Sequence, residues 1–132
     1  VFTMAYTNAG LSPDGSSTYY MPRKIGDRRT RELMLTNRLL NAQEALDWGV
    51  VNSVVEPDEL MAAAQKLAGK IASGPTQAFG QVKALLDGSF DHSLETQMEL
   101  EARAIAGLVN TPDGQEGLHA FLGKRKPEFK GI

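Results

Sequence analysis

Asp14 is the residue in this chain on which chemistry can most readily be built. It stands in Gly10-Leu11-Ser12-Pro13-Asp14-Gly15-Ser16-Ser17-Thr18, between an apolar run and an aromatic-rich amphipathic segment. Ser12 reads as a helix N-cap and Pro13 as the first helical residue, where the missing proline N–H does no harm. Asp14 then falls in the first helical turn, beside unsatisfied N–H groups and the positive end of the helix dipole. Two readings stand side by side: an ordinary helix-start aspartate, or a carboxylate at the mouth of a pocket. The strand, turn and aromatic residues around it are the setting in which an aspartate can do general-base work.

The second candidate is the Lys124-Arg125-Lys126 cluster beside Phe121, which can hold a phosphate against an aromatic platform. A solvated basic tail fits the same residues. Other chemistries find little support. His92 and His119 lie far apart without carboxylates at ligand spacing, so no metal site is expected. Ser12, Ser16 and Ser17 have no histidine near them in sequence, which leaves a serine nucleophile unsupported. The Gly10–Ser17 stretch lacks both the lysine and the glycine spacing of a nucleotide phosphate loop.

The elements that must position these residues are mostly helical. Val1-Phe2-Thr3-Met4-Ala5-Tyr6 reads as a strand, since β-branched and aromatic residues alternate there with little charge. After Asp14, Tyr19, Tyr20, Met21 and Ile25 supply an apolar face that Gly26 ends. Asp27 to Thr36 is the next helix, with Leu33, Met34 and Leu35 inward and Arg28, Arg29 and Arg31 outward. Asn41 and Glu44 fit a capping box for a short helix carrying Ala45, Leu46 and Trp48. Val50 to Val55 is β-rich, bounded by Gly49 and Pro57, and reads as a second short strand.

Beyond Pro57 the pattern is helical throughout. Leu60, Ala64, Leu67 and Ile71 recur at helical steps, with Asp58 and Glu59 in the first turn. Pro75 opens a helix with Phe79, Val82, Leu85 and Leu86 inward. Ser93 to Val109 is the longest, and Thr111-Pro112-Asp113 starts the last by a cap followed by proline. Two short strands cannot make a sheet alone, and the chain opens inside an apolar pattern, so a fragment of a longer protein is expected.

Composition sets the outer limits. A chain of 132 residues that is 42% apolar is one domain's worth with a real core. A net charge of −2 argues against nucleic acid or an anionic membrane as partner. These residues include no cysteine, so they hold no disulfide, thiolate metal site or cysteine nucleophile. No run approaches the length of a membrane span and no signal peptide is recognisable, which makes a cytoplasmic protein the expectation.

The Gly10–Gly26 segment GLSPDGSSTYYMPRKIG, the Glu32–Val55 segment ELMLTNRLLNAQEALDWGVVNSVV and the Phe121–Gly131 ending FLGKRKPEFKG resemble the crotonase (enoyl-CoA hydratase/isomerase) superfamily. The similarity runs over nearly the whole chain, and the AxxWGVVN pattern is its most specific part. It implies an α-rich α/β fold, the C-terminal part of the crotonase spiral, mostly helices with one or two short strands. Residues 1–55 would end the spiral core and residues 56–132 would form a helical trimerisation region. The N–H donors of the oxyanion hole would then precede residue 1, and the chain by itself would be inactive.

By the same resemblance, Asp14 falls where dienoyl-CoA isomerases, ring-epoxide phenylacetyl-CoA isomerases and 4-chlorobenzoyl-CoA dehalogenases carry their catalytic aspartate. Hydratases use instead a glutamate eight residues earlier, and here that residue is Tyr6. The usual Gly-Gly-Thr is replaced by Ser16-Ser17-Thr18, a departure that bears on the backbone path beside the thioester. Tyr6, Leu11, Pro13 and Tyr19 would line the substrate pocket. Phe121 and Lys124 match positions that touch the CoA nucleotide of a neighbouring subunit. The implied function is double-bond isomerisation of an acyl-CoA thioester by a trimer or hexamer, with no cofactor beyond the CoA of the substrate. Nucleophilic dehalogenation, enoyl-CoA hydration and a non-catalytic assembly module are the alternatives.

Overall fold

The computed structural model describes all of residues 1–132. A 3-10 turn at Ala5–Ala9 precedes seven α-helices: α1 Ser17–Ile25, α2 Asp27–Thr36, α3 Ala42–Asp47, α4 Leu60–Ala72, α5 Thr76–Gly88, α6 Leu94–Leu108 and α7 Pro112–Leu122. Local signals set most of these boundaries. The Asn41 side chain accepts from the Glu44 N–H at 2.9 Å while Glu44 accepts from the Asn41 N–H at 3.2 Å, a complete capping box. Ser93 and Thr111 cap α6 and α7 by accepting from Thr96 and Gly114 N–H groups at 3.2 and 3.0 Å. Each such cap contributes on the order of 1 kcal/mol.

Contacts divide the chain into two compact units, Val1–Glu59 and Leu60–Ile132. In the first, Ile25, Leu33, Leu40 and Ala45 form the buried core, with Met4, Met21, Trp48, Val50 and Val51 packed against it. Leu35, expected inward, is 71% exposed. Two residues on from Leu33, it points roughly 200° around the helix and cannot share the same face. The guanidinium groups of Arg29 and Arg38 each lie over the Trp48 ring, 4.8 Å from its centroid.

Neither strand expectation holds as a strand. Phe2 pairs with Leu40 in a single antiparallel bridge, exchanging N–H···O bonds of 2.8 and 2.9 Å. The ladder stops there because Asn41 turns one side into α3 while the other curls into the 3-10 turn. Val50 and Val51 both donate to the Ala45 carbonyl, at 2.8 and 3.3 Å, which folds that run back onto α3. β-propensity without a partner strand does not make a strand.

Two helix starts also move. α1 begins at Ser17 and not at Pro13, because Gly15 and Ser16 take left-handed conformations with φ of 60° and 61°. α4 begins at Leu60, so Asp58 and Glu59 lie in the turn before it and not in its first turn.

The second unit buries little. Ala120 and Asp113 are its buried residues, and most of the large apolar side chains of α4, α5 and α6 stay open. Leu67, Val82, Met98 and Ile105 are 57%, 52%, 58% and 70% exposed. Phe79 and Leu86, expected inward, are likewise exposed, and Leu85 is half-buried. The periodicity is that of a core face, but no layer within this unit covers it.

Candidate functional site

Asp14 lies in the turn that precedes α1, not in the helix. Its backbone carbonyl accepts from the Ser17 N–H at 3.1 Å and from the Ser17 hydroxyl at 2.8 Å. Its side chain is exposed and receives one bond, from the Tyr6 hydroxyl to Oδ1 at 2.7 Å. Oδ2 has no partner within the chain. The pair therefore leaves one carboxylate oxygen oriented and the other open to a ligand.

A further set of bonds fixes Tyr6. The next residue, Thr7, donates its hydroxyl to the Met34 carbonyl at 2.8 Å and accepts from Asn37 Nδ2 at 2.5 Å. Asn37, the left-handed C-cap of α2 with φ of 54°, also accepts from the Asn8 N–H at 3.3 Å. Leu11 N–H donates to the Tyr6 carbonyl at 3.1 Å and closes the turn after Gly10. The end of α2 thus anchors the 3-10 turn that carries Tyr6. The hydrogen bond to Asp14, with the negative charge behind it, holds the Tyr6 phenol above its ordinary range.

The other expected pocket residues are less converged. Leu11 is 62% exposed and Pro13 is half-buried. Tyr19 stacks edge-on against Tyr20 at 5.1 Å and lies under the Arg23 guanidinium, 3.5 Å from its centroid. Of the four, only Tyr6 bonds Asp14. Ser16, where the resemblance implies a glycine, takes a left-handed backbone that a glycine there would adopt freely.

An apolar hollow of the first unit, about 400 Å³, is lined by residues including Phe2, Met4, Met21, Leu33, Leu40 and Val50. Neither Tyr6 nor Asp14 lines it. With Lys24 its only titratable group, it is the open side of the core and not a site with convergent polar groups.

In the second unit Phe121 is 81% exposed, and Lys124, also exposed, has a left-handed backbone with φ of 49°. The basic cluster does not offer three free cations. Arg125 forms a two-pronged pair with Glu116, Nη1 to Oε1 at 2.6 Å and Nη2 to Oε2 at 2.7 Å. The Arg125 bonds and the Glu128 N–H hold the Glu116 carboxyl down at about 2. Asp113, named above only in the start of the last helix, and Glu116, not singled out at all, organise the C-terminal segment. Their spacing on one side of α7 was visible in the sequence; their partners were not.

The model of the enoyl-CoA hydratase/isomerase family matches residues 1–132. The chain is 37% identical to the 1,2-epoxyphenylacetyl-CoA isomerase of Escherichia coli K12, covering 98% of this chain and 50% of that protein. It is 36% identical to a 4-chlorobenzoyl coenzyme A dehalogenase of an Arthrobacter species, covering 93% and 45%. A crystal structure of an enoyl-CoA hydratase subunit from Geobacillus kaustophilus HTA426 superimposes with a TM-score of 0.94 at 34% identity, covering 99% of this chain and 51% of that one. The chain spans about half the length of the relatives it matches. No helix is long and apolar enough to cross a membrane. The chain belongs to the enoyl-CoA hydratase/isomerase family of the crotonase superfamily.

Proposed function

We propose that the protein carrying this chain moves a double bond in an acyl-CoA thioester, with Asp14 as the proton shuttle. The observation that supports this reading is the single carboxylate with one oxygen held by Tyr6 and the other unpartnered. Asp14 takes a proton from one carbon beside the thioester, leaving an enolate, and returns it to another carbon of the conjugated system. Bonds and charges balance with no co-reactant. Such a proton is too weakly acidic for an aspartate unless preorganised N–H donors meet the enolate oxygen, each contributing a few kcal/mol. Hydration by a two-glutamate route is disfavoured, since Tyr6 replaces the second carboxylate.

Asp14→Asn in the whole protein tests the reading. We expect kcat to fall by roughly 10²–10⁴-fold with little change in binding of the CoA ester. Near-normal turnover would overturn it. A second reading, nucleophilic attack by Asp14 on an aromatic acyl-CoA, is favoured by the open Oδ2 and by the similarity to the dehalogenase. Mass spectrometry of a quenched turnover separates the two, because only the nucleophilic route leaves an aryl ester on Asp14.

The open apolar faces of α4, α5 and α6 support self-association, as a trimer or a pair of trimers. An assembly module without catalysis of its own is the reading left if no acyl-CoA is turned over.

A further inference from the structure

Residues 125–132 run back along α7 and are tied to it by two carboxylates of that helix. Asp113 is 5% exposed, and both of its oxygens are used: Oδ1 accepts from the Lys130 N–H at 2.7 Å and Oδ2 from the Gly131 N–H at 2.8 Å. Its own N–H donates to the Ile132 carbonyl at 3.1 Å. Three residues on, Glu116 takes both prongs of Arg125 and also accepts from the Glu128 N–H at 2.8 Å. Between the two ties the Phe129 ring lies over Gly117, 3.5 Å from where a Cβ would stand, an ordinary van der Waals separation.

This strap reverses direction at Gly123 and Lys124. Arg125 N–H donates back to the Ala120 carbonyl at 3.0 Å and Lys124 N–H to Phe121 at 3.2 Å. Lys124 is held with φ of 49°, a left-handed conformation that a non-glycine residue keeps only where its surroundings impose it. The bonds from the Lys124 and Arg125 N–H groups close the end of α7 around that backbone, and the tie to Glu116 takes hold at Arg125, the very next residue, while Asp113 fixes the far end of the strap at Lys130 and Gly131. The Glu116 tie also removes Arg125 from the basic cluster. Lys124 and Lys126 form no ion pair with an acid, and Phe121, three residues before Lys124, is exposed.

The geometry points to Asp113 and Glu116 as positioning residues that hold Lys124, through the strap, in the orientation that meets the phosphate-bearing nucleotide of an acyl-CoA. This rests on the reading of Phe121 and Lys124 as nucleotide contacts. Neither carboxylate touches the ligand: each acts through backbone N–H groups and Arg125.

The test compares two substrates of the whole protein, an acyl-CoA and the same acyl group on pantetheine, which lacks the nucleotide and its phosphates. Glu116→Gln and Asp113→Asn are each expected to raise KM for the CoA ester about tenfold and leave kcat alone. Turnover of the pantetheine ester should be unchanged, so the preference for CoA shrinks. A merely structural role would lower both esters together and overturn the proposal. Glu116 is partly exposed, so its variant is the safer folder if loss of the buried Asp113 charge prevents folding. Lys124→Ala tests the reading beneath. If it leaves the CoA preference intact, the nucleotide contact itself is wrong. If it erodes the preference while Glu116→Gln does not, the contact stands and the positioning role falls.

Discussion

The Tyr6 hydroxyl and the Asp14 carboxylate meet at 2.7 Å across eight residues of chain, and neither residue would be placed as it is without α2. Asn37 ties Thr7, Thr7 carries Tyr6, and Tyr6 fixes one oxygen of Asp14. Removing the phenol oxygen by Tyr6→Phe should free the carboxylate to rotate. We expect kcat to drop about tenfold with KM little changed, read from steady-state kinetics of the whole protein. An unchanged kcat would show that Asp14 is oriented by something else.

The same bond sets a pH signature. The phenol is raised above its usual 10 by its hydrogen bond to Asp14, so the favourable term is complete below that value. It is lost as pH rises through the elevated value, when the phenolate forms beside the carboxylate. Ultraviolet titration should show one tyrosine ionising late, and Asp14→Asn should return it to the ordinary range.

Glu116 gives the opposite sign. Its carboxyl is held down at about 2 against an ordinary 4.5, so its stabilising contribution is complete above 4.5 and is lost as pH falls toward 2. Denaturation of the protein and of its Glu116→Gln variant should differ above that window and converge at its acid end.

Leu33 and Leu35 form an internal control. Leu33 is 3% exposed and Leu35 71%, on opposite sides of α2. Leu33→Ala should cost about 2–5 kcal/mol in urea unfolding. Leu35→Ala should change it by less than about 0.5 kcal/mol.

The uncovered stripes of α4, α5 and α6 predict that the chain self-associates. Light scattering at micromolar concentration should give a mass above that of one chain. A monomer would remove the basis for the assembly reading.

What the sequence determined by itself was whatever depends on residues a few positions apart. The Asp27–Thr36 helix, the Asn41–Glu44 box and the Thr111-Pro112 start are all local, because a cap or a turn of helix closes within four residues. Asp14 was legible as a candidate by its type and setting, and the family by the order of its segments. The tertiary structure alone decided the pairings between distant residues. Phe2 could become a bridge and not a strand only once Leu40 was beside it, and Asp14 found Tyr6 only because α2 holds the turn. Arg125 read as a free cation until the chain folded back and brought Glu116 against it. Hydrogen-bond and charge partners far apart along the chain leave no periodic trace in it, because folding, not spacing, brings them together.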